Sequence, residues 1–314
     1  MLKNYKPIVI VPGDPKSIFL EIFFKSFKKS KKTIILICSK KLLAKQMKML
    51  NFNYKLNEIT VSQVYDKNLK NSQINFINVS LNPKKINKYI NMCFEKSLQI
   101  LKKDKEIGFI NGPINKSIFL KQKYLGITEF LGTKTGNLKK VVMLIFNKKL
   151  AVSPLTTHIP LKDVHLKISK KKIFNHVIQI NNFYKLKFKI KPKIAITGLN
   201  PHCESNFKTS EEKKIIEPAI KNLKTKNFKV SGPFAADTIF LKNNYKKFDV
   251  IIGMYHDQVL TPIKSIFGFK AINITLGLPF LRISPDHGPN VKMFGKNISN
   301  PDSLREAIKF LNKK

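Results

Sequence analysis

The chain has few cysteines and no long apolar run. Its three cysteines, Cys38, Cys93 and Cys203, are far apart and show no Cys-x-x-Cys spacing. This pattern argues against a disulfide framework and against a zinc site built from cysteine. No apolar stretch approaches the roughly 18 residues that a membrane span needs, and the apolar run before Pro12 is too short for a secretory signal peptide. We therefore expect a cytoplasmic protein with no membrane partner.

Acidic residues and arginine are also scarce. The chain has 59 Lys and Arg against 19 Asp and Glu, which gives a formal net charge of +40, yet only Arg282 and Arg305 are arginine. A basic surface can bind nucleic acid through its phosphates. However, the lysines occur in every segment and accompany abundant Asn, Ile and Phe, all encoded by AT-rich codons, and no RNP-type motif is present. We attribute the charge to compositional drift and expect no specific nucleic-acid partner, only weak, salt-sensitive association.

Short apolar runs alternate with helical patterns along the chain. The apolar runs lie at 8–11, 33–38, 107–110, 141–145, 193–197, 249–253 and 271–275, and helical patterns lie at 84–101 and 211–223. This alternation predicts an α/β fold with a mostly parallel sheet and helices on both faces. A length of 314 residues favours two domains over one. Because ligands bind beyond the carboxyl ends of strands in such sheets, we expect the site in the loops that follow these runs.

Three of the six histidines follow strand-like segments and lie in polar, Pro- or Gly-rich turns: His158, His202 and His256. Three imidazoles at equivalent strand ends can ligate a divalent metal ion and leave positions open for a substrate. Their separations of 44 and 54 residues give no local metal signature, so hydrogen-bonded structural histidines remain the alternative. His165 and His176 lie in lysine-rich helical patterns, and we expect no functional role for them.

Lys264, Asn273 and Arg282 are candidate anion-binding residues that lie close together in sequence. Asn273 interrupts an apolar strand, where its amide either contacts a ligand or is satisfied internally. Arg282 supplies the planar fork that lysine lacks, for a phosphate or carboxylate or for a structural salt bridge. The segment NGPINKS, at 111–117, adds backbone N–H groups at a predicted helix start. Asp237 in GPFAADTIF either serves the site or caps a helix.

A metal ion with phosphate-binding groups and no Walker-type loop fits two kinds of chemistry. One is metal-assisted hydrolysis of a phosphoester, and the other is oxidation of a hydroxyl held on the metal. No GxGxxG follows the first strand, so the standard dinucleotide fingerprint is missing. A basic binding protein on a degenerate enzyme fold is a third possibility. The residues by themselves do not choose among these.

Six motifs in register resemble the 4-hydroxythreonine-4-phosphate dehydrogenase family: GPINK, TTHIPLKDV, GLNPH, GPFAADTIF, MYHDQVLTPIK and NITLGLPFLRISPDHG. The resemblance runs from about residue 7 to 310. It implies two α/β/α domains flanking a cleft, as in isocitrate and isopropylmalate dehydrogenases, a fold that holds NAD without GxGxxG. The first domain would comprise residues 1–130 and 265–314. The second, residues 131–264, would carry the metal-ligand histidines and the interface of a homodimer with shared active sites.

The resemblance also implies a reaction and a role for each site residue. The reaction is NAD-dependent oxidation and decarboxylation of 4-phosphooxy-L-threonine to 3-amino-2-oxopropyl phosphate in vitamin B6 biosynthesis. One Zn²⁺, Mg²⁺ or Co²⁺ ion per site would be bound by His158, His202 and His256. The remaining implied residues are Lys264, Asp257 and Asp237 in catalysis, Thr128, Lys264, Asn273 and Arg282 in substrate binding, and His287, Gly288 and Asn290 in cofactor binding. We expect Asp257 to orient His256. For His287 the alternative to a cofactor contact is a pair with its neighbour Asp286 that stabilises the loop.

Several positions depart from the family pattern. Ile127 stands where the family has a histidine in a GHTE motif, so a hydrogen bond to the substrate is missing there. Residues 17–21 lack two glycines, the glycine-rich run after NPH is shortened at 203–206, and residues 289–292 lack the Asp of a cofactor loop. These changes fit either a drifting member of the family or a paralogous dehydrogenase of 4-phospho-erythronate or 4-phospho-threonate.

Overall fold

The computed structural model describes residues 6–115, 124, 126–203, 209–268, 271–285 and 288–313. Its strands are β1 (Ile8–Val11), β2 (Ile34–Cys38), β3 (Leu56–Glu58), β4 (Ile74–Asn78), β5 (Gly108–Asn111), β6 (Val142–Phe146), β7 (Ala151–Thr156), β8 (Ile194–Thr197), β9 (Val230–Phe234), β10 (Val250–Tyr255), β11 (Ile272–Leu276) and β12 (Arg282–Pro285). Its helices are α1 (Phe19–Phe24), α2 (Lys40–Met49), α3 (Ile86–Lys103), α4 (Ile127–Lys134), α5 (Lys170–Phe188), α6 (Glu217–Thr225), α7 (Ala236–Ile239), α8 (Lys242–Tyr245), α9 (His256–Phe267) and α10 (Asp302–Asn312).

The chain divides into two compact units. The first comprises Met1–Leu131 with Leu278–Lys314, and the second is Gly132–Gly277. Residues 265–277, which include β11, therefore belong with the second unit. Among the described residues, no helix combines the length and the apolar character needed to cross a membrane.

The first unit contains parallel strands in the order β3-β4-β2-β1-β5-β12. The apolar runs of β1 and β2 are buried along their whole length, as expected for strands covered on both faces. Adjacent residues of β5 show the two layers, because successive side chains of a strand point to opposite faces. Gly108 lies against Leu311 of α10, whereas the Phe109 ring lies 6.2 Å from that of Phe94 in α3. The predicted α/β architecture is thus confirmed.

The second unit has the strand order β11-β6-β7-β10-β8-β9. The β7, β10, β8 and β9 pairs are parallel, whereas β6 is antiparallel to both β11 and β7. A connection as short as that between β6 and β7 permits only antiparallel pairing. One face packs Val152 against Val259 and Ile263 of α9. On the other face, Ser153 contacts His176 of α5.

Helix α9 corrects one expectation of the sequence. We expected His256 to lie in a turn after an apolar run, but helix α9 begins at His256 and contains Pro262. Its residues Val259, Leu260 and Ile263 are buried in the core of the second unit. Burial of this apolar face stabilises the helix despite the backbone N–H that proline lacks.

Candidate active site

Two of the predicted metal ligands meet at the ends of β7 and β10. These strands are parallel, with Thr156 paired to Tyr255, so the residues that follow them emerge at the same edge of the sheet. His158 and His256 follow, and their ring centroids lie 5.5 Å apart. Nδ1 of His256 lies 2.6 Å from Oδ1 of Asp257. The expected contact between Asp257 and this histidine is therefore present.

His202 follows β8, the other parallel neighbour of β10. Its Nδ1 lies 3.3 Å from Oδ2 of Asp237, and both side chains are more than half exposed. Asp237 lies in the first turn of α7, whose N-cap is Ala235. The alternative that Asp237 caps the helix is therefore wrong, and its carboxylate faces a histidine instead.

The backbone at two of these histidines adopts a conformation that is costly for residues other than glycine. The φ angle is +53° at His158 and +55° at His202, and Cys203 follows with +58°. Such left-handed conformations cost on the order of 1–3 kcal/mol each and persist where the surrounding structure enforces them. The left-handed backbone at both His158 and His202 suggests that the direction of each imidazole is important for function.

A buried carboxylate fixes the loop that carries His202. Glu212 Oε1 accepts hydrogen bonds from the backbone N–H groups of Leu199, at 2.7 Å, and Asn200, at 2.9 Å, and Oε2 accepts from Asn200 Nδ2 at 2.8 Å. Burial raises the pKa of Glu212, but the hydrogen bonds from Asn200 and Leu199 outweigh it and lower the pKa overall. Glu212 therefore stays ionised and holds the loop in place.

Gln258 joins the ends of β8 and β10, although the sequence assigned it no role. Its Oε1 accepts from Met254 N at 2.6 Å and from Thr197 Oγ1 at 2.8 Å, and its Nε2 donates to Gly198 O at 2.9 Å. The amide thus sets the spacing of the two strand ends that carry His202 and His256. The sequence signal was only its place in HDQ, and its partners lie up to 61 residues away.

The histidines of one chain line two adjoining cavities of the second unit, which have Leu161, Val164 and Tyr255 in common. The larger, of about 660 Å³, is lined by His202, Asp237 and Gln258, and the smaller, of about 320 Å³, by His158 and His256. Within the described part of the chain, no three His, Cys, Asp or Glu side chains gather as a metal-binding group. His158 and His256 thus line one cavity, and His202 lines the cavity beside it.

The second unit also contains two candidate substrate-binding residues. Asn273 lies on β11, and its Oδ1 is buried and has no hydrogen-bond partner among the residues that the structure describes. An unsatisfied buried acceptor of this kind is costly and is expected where a ligand supplies the missing donor. Lys264 lies in the last turn of α9 with its side chain exposed.

The first unit contains a buried arginine with two polar neighbours. Arg282 is only 3% exposed, and its Nε donates to Asn111 Oδ1 at 2.7 Å. Its Nη1 donates to Thr128 Oγ1 at 3.4 Å. Burial lowers the pKa of Arg282 to about 10, and the charge of Glu129 opposes that shift. Ile127, one residue before Thr128, is itself buried.

The proposed cofactor segment is described only in part. Gly288 and Asn290 are exposed, and Asn290 adopts φ +47° before a short 3₁₀ turn at Val291–Met293. Pro289 O accepts from Ile18 N at 3.1 Å, which ties this segment to the residues after β1. His287 and Asp286 lie outside the described residues, as do Lys116 and Ser117.

The two-unit α/β fold is shared with solved structures of low sequence identity, and that likeness concerns the fold alone. A solved β-decarboxylating dehydrogenase from Thermococcus kodakarensis shares the fold, with a TM-score of 0.51 and 10% identity, over 96% of this chain and 81% of that chain. The family model described as pyridoxal phosphate biosynthetic protein PdxA matches residues 30–311. The chain belongs to the PdxA family.

Two further relatives agree with this assignment and confirm the resemblance seen in the sequence. A 4-hydroxythreonine-4-phosphate dehydrogenase from Sulfurihydrogenibium sp. (strain YO3AOP1) is 40% identical over 314 residues, which is 96% of each chain. The crystal structure of a 4-hydroxythreonine-4-phosphate dehydrogenase from Burkholderia phymatum has a TM-score of 0.80 at 27% identity and covers 99% of both chains. The chain is thus a member of a dehydrogenase family.

Proposed function

We propose that this chain catalyses the NAD-dependent oxidation and decarboxylation of 4-phosphooxy-L-threonine to 3-amino-2-oxopropyl phosphate. The observation that carries the proposal is the pair of histidine–carboxylate contacts at neighbouring strand ends, His202 with Asp237 and His256 with Asp257. Membership of the PdxA family supports the same reaction.

The donor set fits a divalent metal ion. Asp257 lies 2.6 Å from Nδ1 of His256 and Asp237 lies 3.3 Å from Nδ1 of His202, so Nε2 of each ring is the nitrogen that a metal would use. Neutral imidazoles suit Zn²⁺ or Co²⁺, and Mg²⁺ is the third candidate. His158, His202 and His256 would hold the ion, which when bound lowers the pKa of the substrate hydroxyl and favours loss of carbon dioxide from the oxidised acid.

The proposal includes a homodimer, which the family resemblance implies. His158 and His256 line one cavity, and His202 lines another. A second copy of the chain would complete each set of three ligands. The proposal therefore includes active sites shared between two subunits.

The chain's own residues would bind the phosphate, orient the substrate and move protons. Asp257 and Asp237 would favour the tautomers of His256 and His202 that have no proton on Nε2, and would orient each ring. Arg282 and Thr128 would bind substrate phosphate, the guanidinium through its planar fork. Asn273 Oδ1, a buried acceptor, would receive a donor from the substrate. The ammonium group of Lys264 would bind phosphate and donate a proton to the carbon left by decarboxylation.

NAD would accept the hydride from the substrate carbon. Gly288 and Asn290, with His287 outside the described residues, would contact it. Gly288 has no side chain to obstruct a ligand, and among the described residues a Cβ built there would come near the far end of Asn290, at 3.9 Å. The segment thus leaves room for a close approach of a nucleotide.

A paralogous activity is the second candidate, and Ile127 is the observation that favours it. The buried Ile127 offers no hydrogen bond where the family has a histidine. A substrate such as 4-phospho-erythronate or 4-phospho-threonate, with different polar groups on its carbon skeleton, would suit that position. An NADH-forming screen of these acids beside 4-phosphooxy-L-threonine separates the two candidates. The first predicts the highest kcat/KM for 4-phosphooxy-L-threonine, and the reverse order contradicts it.

A further inference from the structure

Asn111 and Arg282 lie on neighbouring parallel strands of the first unit. Arg282 begins β12 and is paired with Phe109 of β5, two residues before Asn111. Paired residues share a face of the sheet, and so do residues two apart, so Arg282 and Asn111 point to the same side. Two residues span about 6.6 Å along a strand, which matches the reach of an arginine side chain. The guanidinium therefore extends along β5 toward its carboxyl end.

The Asn111 amide both donates and accepts a hydrogen bond at this point. Its Nδ2 donates to Gly112 O at 2.9 Å, and its Oδ1 accepts from Arg282 Nε at 2.7 Å. The amide supplies the donor and the acceptor on separate atoms, so it can bind Gly112 and Arg282 at the same time. Asn111 is 2% exposed and Arg282 is 3% exposed, so water does not replace either bond.

We propose that Asn111 is a positioning residue that aims the guanidinium of Arg282 at the phosphate of the substrate, an inference that rests on the proposed function. Binding Nε to Asn111 directs the terminal nitrogens past it, toward Thr128 at the start of α4, where Nη1 donates to Thr128 Oγ1. A guanidinium held at Nε loses less rotational freedom when it binds an oxyanion. Without that bond Arg282 would still be charged, but its guanidinium would no longer be oriented toward the phosphate.

The chain offers an unusually clean spectroscopic test, because it has only two arginines. Protein with isotope-labelled arginine gives two Nε–H signals in an NMR spectrum. Arg305 lies at the surface, where Nη1 contacts Asp302, whereas the Arg282 signal is expected to exchange slowly with water. In Asn111→Ala the Arg282 signal should exchange quickly, and the Kd for inorganic phosphate should rise about tenfold.

Asn75 provides the matched control. It is 1% exposed, its Nδ2 donates to Lys70 O, and its Oδ1 accepts from Asn57 Nδ2. Asn75→Ala removes an equivalent buried amide, so it should lower Tm to a similar degree while leaving the Arg282 signal and the phosphate Kd unchanged. Asn111→Asp keeps an acceptor for Nε and adds a competing negative charge, so the slow signal should persist while phosphate binding weakens.

The outcomes separate this inference from the proposed reaction. The positioning role of Asn111 would be overturned if Asn111→Ala kept the wild-type Kd for phosphate and the wild-type Arg282 signal. It would also be overturned if the wild-type protein bound no phosphate. If Asn75→Ala also lost the slowly exchanging Arg282 signal and phosphate binding, the role of Asn111 would be structural and not positional. If the wild type binds phosphate as described but forms no NADH from 4-phosphooxy-L-threonine, the reaction fails and the positioning role stands. In an active enzyme, Asn111→Ala should raise KM more than it lowers kcat.

Discussion

Nδ1 of His256 lies 2.6 Å from Oδ1 of Asp257, its immediate neighbour at the start of α9. Two consecutive residues rarely share a functional contact inside a helix, since side chains one apart diverge. The first turn after β10 permits it here. The contact leaves Nε2 of His256 as the nitrogen available to a metal, which leads to the first prediction.

Replacing Asp257 with Asn should weaken metal binding about 10- to 100-fold, because the amide no longer orients and polarises the imidazole. Metal affinity is measured by titration of the metal-free protein with Zn²⁺ or Co²⁺. Asp302→Asn is the matched control, since Asp302 also forms an exposed ion pair, with Arg305. Equal metal affinities for Asp257→Asn and the wild type would show that Asp257 does not orient a ligand.

Gln258→Ala should cost about 2–4 kcal/mol of unfolding free energy. It removes three hydrogen bonds between the ends of β8 and β10 and leaves buried partners unsatisfied. Gln46→Ala, at a similarly buried glutamine with one hydrogen bond to Pro15 O, should cost less. Denaturant unfolding measures both, and equal losses would mean that Gln258 does not tie the strand ends together.

His176 should make the protein less stable as the pH falls. Burial, and then the charge of Lys172, lowers its pKa from 6.5 to about 3 in the folded state. Between these values the unfolded chain takes up a proton that the native state excludes, so stability is full above pH 6.5 and is lost toward pH 3. The slope from this one group is at most about 1.4 kcal/mol per pH unit.

His176→Phe removes this group and should flatten the fall of unfolding free energy between pH 6 and 4. The variant also breaks the contact of Nδ1 with Ser153 Oγ, at 3.0 Å, so its stability at neutral pH will be lower. The informative quantity is therefore the slope. Exposed His165→Asn is the control and should keep the wild-type slope, and a wild-type slope in His176→Phe would mean that His176 is not the group responsible.

The sequence predicted the strands that are apolar throughout, such as β1 and β2, because burial on both faces leaves a continuous apolar run. It missed β3, β4, β7, β9 and β12, in which polar residues, glycine or proline interrupt the apolar pattern. It also took the start of α9 for a loop, since packing of Val259 and Ile263 against the sheet is not visible in a local pattern.

The candidate site was also predicted only in part from the sequence. The three histidines could be singled out because each follows an apolar run. The partners of Arg282 and Gln258 could not, because Asn111 lies 171 residues from Arg282 and Thr197 lies 61 from Gln258. The topology of the sheet brings such pairs together, and the local spacing of residues does not predict these contacts.

The most direct measurement of the central claim is the product balance of the purified protein after metal removal and after metal is restored. Given NAD and 4-phosphooxy-L-threonine, the restored enzyme should form NADH and carbon dioxide in equal amounts, and the metal-free protein should form neither. The triple variant His158→Ala, His202→Ala and His256→Ala should stay inactive when metal is added. Release of inorganic phosphate without NAD, or a folded, metal-bound protein that forms no NADH from this acid, would contradict the account.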